Sequence, residues 1–227
     1  MQSFFLKYKM LWIVLTVLSV VIIYSIYSIL KPEEARLPVY QPKGTGLNIE
    51  LVDSTVQHIK KNHTIADFKL TNQNGKAITQ DDYQNKIYVA DFFFTTCQTI
   101  CPIMTDHMVQ IQDKIKNNPD VLLLSHTVMP EVDSVAQLKK YALEKGVDAL
   151  KWNLVTGSKK EIYDLARKSY MAAKENPGNP YGLIHTENFL LIDKKKRVRG
   201  FYDGTLQEDI DRLLGDIEKL QREDVKH

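Results

Sequence analysis

Cysteine is almost missing from this 227-residue chain, which holds only Cys97 and Cys101. Two thiols are too few to close a structural zinc site. An excess of charge is missing too: 30 Lys and Arg face 28 Asp and Glu, a net charge of +2 that favours no partner class and calls for no nucleic acid. Internal repeats and low-complexity tracts are absent, and composition shows no bias toward disorder. From Met10 to Leu30 there is no charge at all. At about 1.5 Å per residue that run reaches roughly 31 Å as a helix, close to a ~30 Å hydrocarbon core.

A cleaved signal peptide competes with an anchor for this segment. Its apolar part would be shorter, with small residues at a cleavage point, whereas Tyr24, Tyr27 and Leu30 lead straight into Lys31-Pro32-Glu33-Glu34. The segment is therefore expected to be a single-pass anchor through residues 10–30 in the cell (inner) membrane. Lys7 and Lys9 precede it with no acidic residue, which favours a cytoplasmic N-terminus (1–9) and an extracytoplasmic, periplasmic C-terminal domain. Residues 31–48 carry three prolines and two glycines and read as a linker. Residues 49–227 remain for the folded domain.

Strand and helix patterns alternate through that domain. Ile65–Thr71 and Lys76–Thr79 flank an Asn-Gly turn and predict a hairpin. Lys86–Thr95 is an apolar, aromatic-rich central strand, followed by a helix from Pro102 to Asn117 with Met104, Met108, Ile111 and Ile115 on one face. Val121–Leu124 is a second strand; Ser134–Lys145 is a helix stopped by Gly146. Trp152–Val155 is a short strand, and Ser158 caps a helix to about Tyr170. A hairpin of Phe189–Ile192 and Val198–Tyr202 turns at a lysine-rich tip read as solvated, and Thr205 caps a last helix to about Arg222. The fold class is α/β, a mixed sheet covered by helices on both faces, with an N-terminal hairpin and one N-terminal transmembrane helix.

The cysteines stand where a buried strand gives way to a helix, the sheet edge at which α/β sites are built. Their four-residue spacing puts both sulfurs on one side of the first turn, and helix-start N–H groups favour thiolates. Pro102 suits that position because its missing N–H would be unpaired there. A staple over so short a loop stabilises little, so reactive or metal-binding use is the stronger reading. Of six histidines, His58, His63 and His227 read as solvated, and His107 lies on another helix face. His126 reads as a hydrogen-bonded structural residue. His185 ends the Asn176–Pro180 loop region and directly precedes a buried strand at the sheet edge of Cys97. Two soft thiolates and an imidazole suit Cu(I), and also hold Cu(II).

At these residues the sequence resembles the Sco/SenC family of copper-binding proteins, which mature the binuclear copper centre of cytochrome c oxidase. The resemblance rests on Asp91-FFFTTCQTICP-Ile103, Ser125-HTVMPEVDS-Ser134 and Ile184-HTENFLLID-Asp193 with Arg199-GFYDGT. It implies a thioredoxin-like fold. It also implies copper held by Cys97, Cys101 and His185, and either copper transfer to the oxidase copper-binding subunit or reduction of that subunit's cysteines. A copper donor and a thiol reductant protein are implied partners, since an oxidising compartment would oxidise thiols that copper needs reduced. Two departures stand out: Gln98 where the family usually has Pro, and Met129 where it usually has Asp. Met129 reads first as an adaptable apolar loop residue, and second as a thioether offered to copper.

Asp91 lies six residues before Cys97 and on its strand face by alternation. A similar Asp-Phe spacing occurs in thioredoxins, where a buried carboxylate assists proton transfer. Asp91 therefore reads either as a simple hydrogen-bonded acid or as a proton acceptor for the redox pair Cys97 and Cys101. A copper chaperone without turnover and a thiol–disulfide reductase both stay open. A peroxiredoxin-like enzyme fits the cysteine spacing poorly.

Overall fold

The structure is a computed structural model that describes residues 8–30, 36–43, 53–173 and 186–225. The chain forms two compact units, Met1–Arg36 and Leu37–His227. The first holds helix α1 (Lys9–Leu30), 22 residues whose side chains are exposed from Met10 to Tyr27. Its hydroxyls turn back onto the helix: Thr16 Oγ1 donates to Trp12 O at 2.7 Å and Ser19 Oγ to Thr16 O at 2.8 Å. The helix is long and apolar enough to cross a bilayer, and these two hydroxyls are satisfied within it.

The second unit is built on one seven-stranded mixed sheet, in the order β2-β1-β5-β4-β3-β6-β7. Its strands are β1 (Lys69–Asn72), β2 (Ala77–Thr79), β3 (Ile87–Phe93), β4 (Val121–Thr127), β5 (Trp152–Thr156), β6 (Asn188–Ile192) and β7 (Val198–Asp203). β3, β4 and β5 run parallel, with Asp91 beside Ser125 and Phe92 beside His126. β6 is antiparallel to β3, with Leu190 opposite Ala90, and pairs with β7. The β1–β2 hairpin turns where expected: Gly75 takes φ +75° and donates to Asn72 O.

Every residue of β3 is buried, Asp91 included, as its otherwise apolar run requires of a central strand. Helices α2 (Ile100–Ile115), α3 (Val135–Lys145) and α5 (Gln207–Val225) cover one sheet face, burying Met104, Met108, Ile111, Leu138, Leu213 and Ile217. The other face packs Phe68, Phe92, Leu124, Tyr163 and Tyr170 under α4 (Lys159–Asp164) and the π-turn Leu165–Ser169 that continues it. Ser134 caps α3 by accepting from Gln137 N, and Gly146 closes it in the left-handed region.

Three local expectations are corrected. The helix from Ser158 divides into α and π segments, and Ser158 makes no side-chain cap bond. Thr205 does not cap α5; its hydroxyl donates to Asp203, and the Leu206 carbonyl accepts the first helical bonds. Residues 37–43, inside the stretch read as linker, are docked on this unit. Tyr40 N donates to Val198 O, and Arg199 donates to the carbonyls of Leu37 and Pro38. The lysine-rich tip lies at the surface as expected, with Lys196 paired to Asp67 and Arg197 to Asp193.

Candidate thiol and metal site

β3 ends at Phe93, and the chain makes a tight turn in which Cys97 N donates to Phe94 O at 3.3 Å. It then enters α2, whose second residue is Cys101 and third is Pro102. Both cysteines are free; Cys97 is half-buried and Cys101 is buried at 4% exposure. Cys97 Sγ lies 3.6 Å from Thr99 Oγ1, and the Cys101 thiol is close enough to act on its acidity.

Their acidities diverge. Burial pushes the Cys97 thiol up, but hydrogen bonds from the Cys101 thiol, the Thr99 and Cys101 backbone and the Thr99 hydroxyl outweigh it and bring it down to about 7. Burial pushes Cys101 up to about 12, reinforced by Cys97 and Asp91 and opposed by the Phe94 backbone. One half-buried, acidified thiol therefore neighbours one buried, weakly acidic thiol, the division of labour that thiol exchange uses.

Asp91 is 3% exposed on the same sheet face. Its carboxyl accepts a short hydrogen bond from Ser125 Oγ, which itself accepts from Trp152 Nε1 at 2.8 Å. Burial pushes Asp91 up to about 7, against the smaller effect of Ser125. Tyr141, whose hydroxyl pairs with Thr105 at 2.7 Å, feels both Cys101 and Asp91 and is itself pushed up to about 12 by burial. Sequence reasoning missed Ser125, Trp152 and Tyr141. Alternation on a neighbouring parallel strand is a usable signal for Ser125; Tyr141 arrives from α3 and has none.

The histidines sort differently from expectation. His63 is buried rather than solvated, with Nε2 2.8 Å from Ser169 O. His107 sets Nδ1 2.7 Å from Gly204 O, on another face of α2 from the thiols. His126 is wholly buried between Phe92, Phe68 and Tyr170, and neither ring nitrogen has a partner in hydrogen-bond geometry. Burial lowers it to about 3, against a lesser pull from the Asp91 backbone, so it is a neutral core ring and not the hydrogen-bonded residue expected. His185 lies outside the described residues. Among the described residues no group of three or more His, Cys, Asp or Glu is placed to hold a metal. Met129 is half-buried against the Phe92 side of the sheet, whereas Cys97 and Cys101 belong to the Phe93 side. Gln98 is exposed in the turn between the cysteines.

Comparison with known proteins bears on this arrangement. The profile of the SCO1/SenC family matches residues 56–222. The SCO1 protein homolog of Bacillus subtilis (strain 168) is 35% identical over 158 residues, covering 69% of this chain and 82% of its own length. Protein SCO1 homolog 1, mitochondrial, of Arabidopsis thaliana is 29% identical over 160 residues, covering 69% of this chain; the chain spans 46% of that relative's length. Among solved structures, a SCO1/SenC family lipoprotein from Bacillus anthracis str. Ames superposes with TM-score 0.63 at 33% identity, covering 70% of this chain and 96% of that one. BsSco, described as a member of the Sco family of cytochrome c oxidase assembly proteins with a disulfide switch, gives TM-score 0.60 at 34% identity over 70% of this chain and 94% of its own. Arabidopsis thaliana ScoI, solved with copper bound, gives TM-score 0.55 at 28% identity over 69% of this chain and 98% of its own. A thiol pair at a strand–helix junction, a thioredoxin-like sheet and a profile match over most of the folded unit agree: the chain belongs to the SCO1/SenC family.

Proposed function

We propose that this protein is a membrane-anchored copper carrier for cytochrome c oxidase assembly, taking copper as cargo on Cys97, Cys101 and His185. The observation that carries the reading is the pair of free thiols at the turn into α2, in a chain of this family. Thiolates are soft ligands suited to Cu(I). Cys97, brought down to about 7, is about half thiolate at neutral pH, and Cys101, pushed up to about 12, gives up its proton as the metal arrives. β6 begins at the sheet edge where β3 ends, which supports His185, three residues before β6, as the third ligand. Helix α1 serves as the anchor, with the folded unit extracytoplasmic. The recipient is the copper-binding subunit of the oxidase; a copper donor and a thiol reductant complete the cycle.

A second reading is favoured by the split acidities of the two thiols. As a reductase, the Cys97 thiolate attacks one sulfur of a target disulfide, breaking that bond and releasing the other sulfur as a thiol once it takes up a proton. Cys101, losing its proton to ionised Asp91, then attacks Cys97 Sγ and expels the target's first sulfur. The target gains two electrons and two protons, and the cysteine pair becomes a disulfide. Copper titration of the reduced full-length protein separates the readings. A thiolate-to-Cu(II) absorption band is expected, lost in Cys97→Ser, and His185→Ala should abolish tight binding yet spare disulfide exchange. Loss of both activities in His185→Ala, or of neither, overturns this division. The thioether reading of Met129 fails if Met129→Leu leaves Cu(I) affinity unchanged.

A further inference from the structure

Asp133 lies at the start of α3, far in sequence from either cysteine, and is wholly buried. An isolated carboxylate is costly to bury unless donors surround it. Its donors come from the ends of the two central strands. Thr95 offers its backbone N–H, at 3.2 Å from Oδ2, and its hydroxyl, at 2.5 Å from Oδ1. Thr127 donates its hydroxyl to Oδ2 in a short bond.

The direction of these bonds is fixed from outside. Thr95 Oγ1 accepts from Gln137 Nε2 at 3.0 Å, and Thr127 Oγ1 accepts from Met129 N at 3.0 Å. Each hydroxyl thus has its own proton committed to Asp133, and both carboxylate oxygens act as acceptors. Thr95 is the first central residue of the Phe94–Cys97 turn, which sets Cys97 Sγ 3.6 Å from Thr99 Oγ1 at the entry to α2. Met129 opens the loop that closes back through Asp133 N to Met129 O at 2.9 Å.

We propose that Asp133 is the positioning residue of the thiol site, clamping the turn that presents Cys97 and joining it to the loop that carries Met129. The copper part of this inference rests on the carrier reading above; the thiol-positioning part does not. Asn is no conservative replacement here, because one amide offers a single oxygen where two hydroxyl protons need acceptors.

The test uses full-length protein in detergent, with folding checked by circular dichroism. Cys97 reactivity is read as the pH profile of iodoacetamide alkylation, resolved by mass spectrometry. Cu(I) affinity is read by competition with a chromophoric chelator. In Asp133→Asn the alkylation midpoint should rise by about one pH unit or more, each unit being a tenfold change in the thiolate equilibrium. Cu(I) affinity should fall about tenfold or more, as when a group behind a metal ligand is lost. Thr127→Val should shift both in the same direction, while Thr127→Ser, which keeps the hydroxyl, should match the wild type. A folded Asp133→Asn with wild-type alkylation and affinity overturns the proposal. If that variant does not fold, a folded Thr127→Val with the wild-type alkylation profile overturns it equally. Failure of the wild-type chain to bind Cu(I) sinks the carrier reading alone, because the alkylation profile reads the thiols without metal.

Discussion

Asp91 shows how one buried side chain joins stability to chemistry. Its ordinary value of 3.8 rises to about 7 because burial disfavours the ionised form more than Ser125 restores it. The folded state therefore holds a proton that the unfolded state releases above about pH 4. Stability is complete below the unfolded value, declines as pH rises toward 7, and the loss is full above that. Asp91→Asn does not titrate and keeps an oxygen for Ser125, so it should gain on the wild type by about 2–4 kcal/mol on going from pH 4 to pH 8. Urea unfolding at the two pH values checks this; an equal offset at both contradicts it. The position of Asp91 was legible in the sequence because strand alternation puts it on the face of the thiols. Asp133 was not, since its partners Thr95 and Gln137 come together only when strand and helix ends meet. Nor was the bare imidazole of His126, which a hydrophobic pattern cannot tell from a hydrogen-bonded one.

The segment 37–43 shows the same contrast among elements. Its composition reads as a linker, yet Arg199 of β7, 4% exposed on its side chain, binds Asp193 at 3.0 Å, Glu223 of α5 at 2.7 Å and the carbonyls of Leu37 and Pro38. Tyr40 packs edge-on against Phe201 with ring centroids 5.0 Å apart. Arg199→Ala takes a partner from buried Asp193 and half-buried Glu223 and should cost about 3–5 kcal/mol. Arg199→Lys should not restore it, because a single ammonium cannot reach four acceptors in the plane that a guanidinium spans. Urea unfolding, with limited proteolysis at residues 37–43, reads the effect; a wild-type midpoint with an intact segment counts against it. Strands and helices were legible from periodicity and turn residues, as with Gly75 and Gly146. The docked segment and the Leu206 start of α5 depend on long-range partners or loop geometry that no local pattern carries.

Across the whole molecule, an apolar helix precedes a sheet whose central strand ends at the thiols, and the chain re-enters the sheet at β6 from that same edge. The α/β alternation and the closing hairpin are readable in the sequence. The flanking order, with β1 and β2 beyond β5, was not, because antiparallel partners far apart in sequence leave no mark on periodicity. In the proposed carrier, one copper shell is drawn from two distant parts of this chain. X-ray absorption at the copper edge of the Cu(I)-loaded full-length protein tests it most directly. The account predicts a first shell of sulfur from Cys97 and Cys101 with one nitrogen, the nitrogen vanishing in His185→Ala. A shell without sulfur, or a nitrogen that persists in His185→Ala, would contradict it.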